Sequence, residues 1–323
     1  MKNFFNLNTI YAGLFLATAL LLASCSDDDS FDFPGDSKNR VYLDSSNNYS
    51  FSVLHTPVGT TGNIKAKFPV YCNREASTEL KVTFATDTAL VSVYNIKHST
   101  SYSAVPAGLV VINGNLTITK GTKISTDSLT VTIPENLSKL KESKYLIPVT
   151  ISTLDNVGNA AISTNMNVVY LVINASTTNC YSAPVMTDMT GTLISDRSSW
   201  TASFDVDYYN STSDLFDGNT GSDVYFNSKK STLSLDLAKA YTNITGIRIH
   251  TWESQYGLTN INVSSSNDGT NWTLQGGAAL ATGDVYQYIK FYSAISSRYV
   301  KLEITGWSSG YVDIAELDVY TNN

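Results

Sequence analysis

The stretch Leu215-Phe216-Asp217-Gly218-Asn219-Thr220 is a short acidic turn, and about a hundred residues later comes a second acidic segment, Asp313-Ile314-Ala315-Glu316-Leu317. Between them lie several strand-like runs and the turn Ser266-Asn267-Asp268-Gly269-Thr270-Asn271-Trp272. A sandwich of strands that brings its first loop beside its last strand sets Asp217 against Glu316. Two carboxylates meeting at loop backbone suit a hard cation, which takes oxygen ligands from carboxylates, hydroxyls and backbone carbonyls. Gly218 and Gly221 permit the sharp turn such a site needs. Taken alone, the segment also reads as a plain Asp-Gly loop.

Working outward, Ser231 to Leu237, Ile244 to His250, Leu258 to Ser264, Gln287 to Tyr292, Tyr299 to Ile304 and Ile314 to Tyr320 alternate apolar and polar residues as half-buried strands do. The first half of the chain does the same in Lys65 to Tyr71, Leu80-Val82-Phe84, Leu116-Ile118, Leu129-Val131-Ile133 and Val168 to Ile173. A brief helical stretch is expected at Glu135 to Ser143, ahead of Tyr145-Leu146-Ile147-Pro148-Val149-Thr150-Ile151. Many short strands without a long helix predict an all-β protein of antiparallel sandwiches. A Ser/Thr/Asn-rich segment at 176–186 reads as the linker between a domain at 39–175 and another at 187–323.

The run "YLIPVTI" at 145–151, between the pair Lys120 to Ile133 and the closing Val169 to Ile173, resembles the immunoglobulin-like domain of unknown function at the N-terminus of Bacteroidetes glycan-utilisation lipoproteins. The resemblance implies a spacer or ancillary module and brings no catalytic residues. In the second half, the order of an Asp-Gly-Asn turn, an Asp-Gly-Thr-Asn-Trp hairpin and a final Ala315-Glu316-Leu317-Asp318-Val319-Tyr320 strand resembles the discoidin fold. This is the coagulation factor F5/8 type C domain, close to the family 32 carbohydrate-binding modules, a galactose-binding-like jelly roll. That resemblance implies a structural Ca2+ held by Asp217 and Glu316, with Ala315 giving a carbonyl and Thr220 and Ser222 as further oxygen donors. The chain departs from the family after the turn, where Thr220-Gly221-Ser222-Asp223-Val224-Tyr225-Phe226 is longer than usual.

The resemblance also places ligand binding on loops at one end of the sandwich. Two such loops are aromatic, Arg248 to Gly257 and Gly306 to Tyr311, and a third, Asp205 to Ser211, holds Tyr208 and Tyr209. Sugars present C–H faces that stack on rings and hydroxyls that suit polar tips, so Tyr and Trp fit them. With Ile247 and Ile249 inward, Arg248 and His250 point out by strand alternation. His250, Trp252, Tyr256, Trp307 and Tyr311 are the candidate ligand-binding residues; Trp200 and Trp272 are assigned to packing.

Lys2, the apolar run Ile10 to Ala23 and the sequence Leu22-Ala23-Ser24-Cys25 read as a signal peptide at 1–24 with Cys25 as the acylated residue. The apolar run is shorter than the roughly 20 residues that span a bilayer. Ser26-Asp27-Asp28-Asp29 opens an acidic tether at 25–38 that resembles the export tag of surface lipoproteins. An outer-membrane lipid anchor exposed at the cell surface is therefore expected, with a surface glycan-uptake complex as its setting.

The formal net charge of −7 with only 15% charged residues excludes nucleic acid as a natural partner, because that binding rests on neutralising phosphates. Cys72 and Cys180 read as free thiols, with pairing as the alternative. No nucleophile elbow, His-Glu-x-x-His or phosphate loop occurs, and no βα alternation suggests a glycosidase barrel. The sequence predicts a non-catalytic protein that binds carbohydrate, the alternative being an adhesin or structural component that binds a protein partner.

Overall fold

A computed structural model describes residues 38–227 and 229–322. The signal segment, Cys25 and all but the last residue of the acidic tether lie outside them. The described chain is all β apart from short helical turns and one α-helix, and it has two separate hydrophobic cores.

The first core lies between sheets of an immunoglobulin-like sandwich. Its main sheet runs Gly59–Gly62, Tyr49–Thr56, Val168–Thr177, Lys144–Asp155, Leu80–Thr86 and Leu116–Ile118 in spatial order. Tyr145 to Val149 are buried without alternation, as expected for a strand covered on both faces. Pro148 is tolerated there because pairing with Leu80–Thr86 begins at Val149, one residue on. Its carbonyl accepts the Asp87 N–H at 3.2 Å.

Three features differ from the sequence expectation. The sandwich is not purely antiparallel: Val168–Thr177 runs parallel to Tyr49–Thr56, and Ala160–Ile162 parallel to Asn39–Tyr42. Parallel partners need a long crossover, and here most of the domain supplies it. The expected helix near 135–143 is only the 3-10 turn Leu137–Lys139, because Asn136 adopts a left-handed φ of 61° that interrupts helical propagation. The α-helix is instead Ala89–His98, in which Val91 is the buried residue. Without an apolar stripe it left no periodic signal.

The second core belongs to a jelly-roll sandwich. Thr192–Leu193, Glu316–Thr321, Ser231–His250, Tyr286–Trp307, Leu258–Ser266 and Thr273–Ala279 form its main sheet in that order. Thr201–Phe204 pairs with the edge of Ser231–His250, and Val224–Asn227 pairs with Tyr311–Ile314 as a separate two-stranded ribbon. The strand pairs expected at 231–250 and 287–304 are each one continuous bent strand. The first bends where Ala238 and Asn243 take left-handed φ values of 64° and 55°, between breaks in its register.

The Ser/Thr/Asn-rich segment between the domains is bonded into the second one. Asn179 donates its backbone N–H to the Gln275 carbonyl, and its side chain bonds Gln275 and the Ser293 backbone. Thr178 donates its N–H to the His55 carbonyl of the first domain at 3.0 Å and its hydroxyl to the Gly277 carbonyl of the second at 3.2 Å. Gly276 admits this approach: a Cβ there would stand 2.1 Å from the Thr178 hydroxyl oxygen. Cys72 and Cys180 are free and buried, and burial pushes both thiols up to about 12.

Candidate functional site

The ribbon Val224–Asn227 with Tyr311–Ile314 sets the site by simple alternation. Val224, Phe226, Val312 and Ile314 are fully buried and face the core. The register pairs Tyr225 with Asp313 and Asn227 with Tyr311, so Tyr225, Tyr311 and Asp313 share the opposite face. The loop 252–256 rises beside that face. Together Asp223, Tyr225, Trp252, Tyr256, Tyr311 and Asp313 line an open cleft of about 280 Å³.

The walls are fixed from behind. Trp252 donates its backbone N–H to Asp313 Oδ1 at 2.8 Å. The fully buried Gln287 accepts the Leu258 N–H at 2.7 Å and donates to the Leu258 carbonyl at 2.6 Å and the Ala281 carbonyl at 2.7 Å. This pins the end of the Trp252 loop. Tyr209 stacks behind Tyr225 with ring centroids 4.9 Å apart, and Asn210 donates to Asp223 Oδ1 at 3.0 Å. Trp252 and Tyr311 remain 47% and 46% exposed, so the walls present open aromatic surface.

Asp313 and Asp223 both line the cleft, close enough for Asp223 to act on the Asp313 carboxyl. Burial, and after it Asp223 and Glu253, push the Asp313 carboxyl up to about 7, against the opposing effect of the Trp252 N–H.

Of the five candidate ligand-binding residues, Trp252, Tyr256 and Tyr311 come together here. His250 and Trp307 are not among the cleft's lining residues. His250 does point away from the core, as alternation requires, but Tyr286 on the neighbouring strand covers it at 4.5 Å and leaves it buried. Burial, then Arg248, lowers its pKa and keeps the imidazole neutral. Trp307, paired opposite Leu258, packs against the second core. The expected packing role of Trp200 is seen in its buried, edge-on contact with Phe216. The half-exposed Trp272 ring carries the Lys301 ammonium at 3.9 Å.

The acidic turn and the last strand do meet. Glu316 Oε1 accepts the Gly218 N–H, which brings Glu316 close enough for it and Asp217 to act on each other's carboxyls. Asp217 also accepts from the Asn219 N–H at 2.7 Å and the Ser222 hydroxyl at 2.8 Å. Burial raises Asp217, but these bonds together with Glu316 and Arg197 carry it below the usual carboxylate range. Glu316 is raised by burial, with Arg197 opposing. Thr220 is exposed on the turn and Ala315 is buried directly before Glu316.

Sequence reasoning missed Arg197. It donates to Glu316 Oε2 and to the Leu317 carbonyl, and sits 3.0 Å from Asp318 Oδ1. Arg248 holds the other side of Asp318 at 2.7 Å. Among the described residues no group of three or more His, Cys, Asp or Glu forms a metal set. The oxygens gathered at 217–222 with Glu316 are nevertheless of the kind a hard cation takes.

Residues 195–317 match the family model of the F5/8 type C domain. The chain carries an F5/8 type C domain. Residues 36–158 match a second family model, described as an N-terminal domain. Among solved structures, a two-domain protein of unknown function from Bacteroides fragilis is 17% identical with a TM-score of 0.59, covering 98% of this chain and 100% of that one. Both domains of the fold are therefore shared with it. A family 32 carbohydrate-binding module from Clostridium perfringens NanJ, solved with galactose, is 24% identical with a TM-score of 0.35, over 38% of this chain and 95% of that one. A search of the curated proteins finds no match. The F5/8 type C match spans the ribbon, the Trp252 loop and Arg197 alike.

Proposed function

We propose that this protein is a lipid-anchored, non-catalytic glycan-binding protein of the bacterial outer-membrane surface, with the aromatic cleft of its F5/8 type C domain as the binding site. The observation that carries the reading is the cleft itself. Exposed rings and convergent carboxyls at one end of a rigid sandwich suit a ligand with apolar faces and hydroxyl edges.

Calcium belongs to this proposal as a structural ion, with Asp217, Ser222, Glu316, Thr220 and the Ala315 carbonyl as its oxygens. The anchor belongs to it through Cys25. Replacing Cys25 with Ala is expected to release the protein from the membrane fraction and abolish labelling by a fatty-acid probe; retention and labelling would remove the anchor.

Glycan-array binding by the mature protein tests the central claim. Saturable binding that Trp252→Ala abolishes supports it. An array with no bound glycan, beside a folded protein, would replace it with the protein-binding adhesin.

A further inference from the structure

The cleft has a chemical bias that a generic sugar site does not require. Its described lining contains two carboxyls and no basic side chain. Elsewhere in the domain Arg197 is committed to Glu316 and Asp318, and Arg248 to Asp318. Glu253 adds a third negative group that acts on Asp313. Asp313 is only 5% exposed, and its carboxyl is directed at Asp223 and at the Trp252 N–H. Like groups this close disfavour one another's ionisation, and the described lining offers them no basic side chain.

The rings are arranged to supply the same preference. Tyr311 stands edge-on to Tyr225, with centroids 6.2 Å apart at 76°, and edge-on to Tyr256, at 6.5 Å and 77°. The ring planes therefore differ in direction around one space, which Trp252 also lines. Aromatic faces attract cations, and several of them around one point form the recognised cage for alkylammonium groups. A bare metal ion gains little from ring faces, and among the described residues no group of three or more His, Cys, Asp or Glu gathers to hold one. The cleft's volume of about 280 Å³ is near the small end of organic ligand sites, which begin at roughly 300 Å³.

We infer that the cleft selects a sugar bearing a free, protonated amine, its ammonium held by Asp223 and Asp313 within the rings of Tyr225, Trp252, Tyr256 and Tyr311. A neutral sugar would bring no positive charge to the negative charge that the pair keeps beyond the proton held on Asp313. An acidic sugar would add a further like charge. This inference rests on the carbohydrate reading above and narrows it.

The test compares glucosamine oligomers, the same oligomers N-acetylated, neutral gluco- and galacto-oligosaccharides, and uronic acid oligomers. Binding to the mature protein is measured by calorimetry, with calcium chloride alone as a further arm. Glucosamine oligomers are expected to bind at least about tenfold more tightly than their acetylated forms. Asp313→Asn should abolish that preference. Asp223→Asn, at a less buried position, should do the same and guards against a folding defect in the first variant. Equal or tighter binding of acetylated, neutral or acidic oligomers would overturn the amine inference and leave the carbohydrate reading standing. Displacement of glucosamine oligomers by calcium at the cleft would also overturn it, in favour of a metal site. Binding to none of these glycans, nor to any on the array, would remove both.

Discussion

Two carboxyl pairs sit in the same domain, and they have been given opposite surroundings. Asp217 and Glu316 are sheathed in donors: the backbone of Gly218 and Asn219, the Ser222 hydroxyl and the Arg197 guanidinium. Asp223 and Asp313 receive the Trp252 N–H and the Asn210 amide, then face open aromatic walls. The first pair is closed by the protein's own cation and ties a loop to the last strand. The second has no protein cation in its described lining and relies on the proton that Asp313 is raised to hold, or on whatever enters. Carboxyl proximity by itself thus says little; the count of donors already present separates a clasp from a recognition site.

The sharpest way to break this comparison is Arg197→Ala. It strips the clasp of its cation and leaves Glu316 and Asp318 short of a partner, a loss of about 3–5 kcal/mol for a buried pair. At ~2–4 °C per kcal/mol the melting temperature should fall by roughly 10 °C. A fall of no more than about 1–2 °C would show that the guanidinium does not hold the clasp.

Calcium comes next. On the proposal, saturating calcium raises the melting temperature and a chelator lowers it, by about 2.7 kcal/mol at a hundredfold excess over Kd. Asp217→Ala should erase that difference. A melting curve indifferent to both treatments would leave Arg197 as the clasp's sole cation.

At the open pair the pattern should invert. Trp252→Ala is expected to weaken glycan binding at least about tenfold, as loss of a central aromatic does. Its melting temperature should stay within roughly 2 °C of the parent, because half the ring is already in water. A large loss of stability with binding intact would make Trp252 part of the scaffold.

A fifth carboxylate calibrates both pairs. Asp268, in the 266–272 turn, takes the Asn271 N–H and side-chain amide, the Thr270 N–H and the Ser266 hydroxyl, and these hold it far below the usual carboxylate range. A carboxyl depressed in the folded state adds stability above its unfolded pKa and loses it as pH falls toward the folded value. Asp268→Ala should therefore melt below the parent at pH 7, with the gap narrowing steadily below pH ~4. A gap that stays constant down to pH ~2 would mean that the turn depends on packing rather than on this charge.

How far the sequence carried these features follows from their range. Alternation located the strands because that signal is local; the meeting of Asp217 with Glu316 was legible only through a sandwich that sets its first loop beside its last strand, and through the discoidin resemblance. Trp252, Tyr256 and Tyr311 were readable as loop aromatics. Asp313 and Tyr225 were not, since their shared face depends on a two-stranded ribbon whose halves lie far apart in sequence. Arg197 carried no local signal; a single cation before a strand reveals its partners only once the last strand is in place. His250 was placed on the correct face of its strand, but coverage by Tyr286 comes from a neighbour that periodicity cannot name.

The parallel pairing of Tyr49–Thr56 with Val168–Thr177 has a mechanical consequence. A protein anchored through its N-terminus and pulled through its second domain would carry load first through Asn39–Tyr42, itself parallel to Ala160–Ile162, then in at the start of Tyr49–Thr56 and out at the end of Val168–Thr177. Seven registered residue pairs, from Tyr49 opposite Leu171 to His55 opposite Thr177, lie along that line of force. They would shear together instead of peeling one by one, so the first domain should resist extension as a single stiff link until it fails in one step.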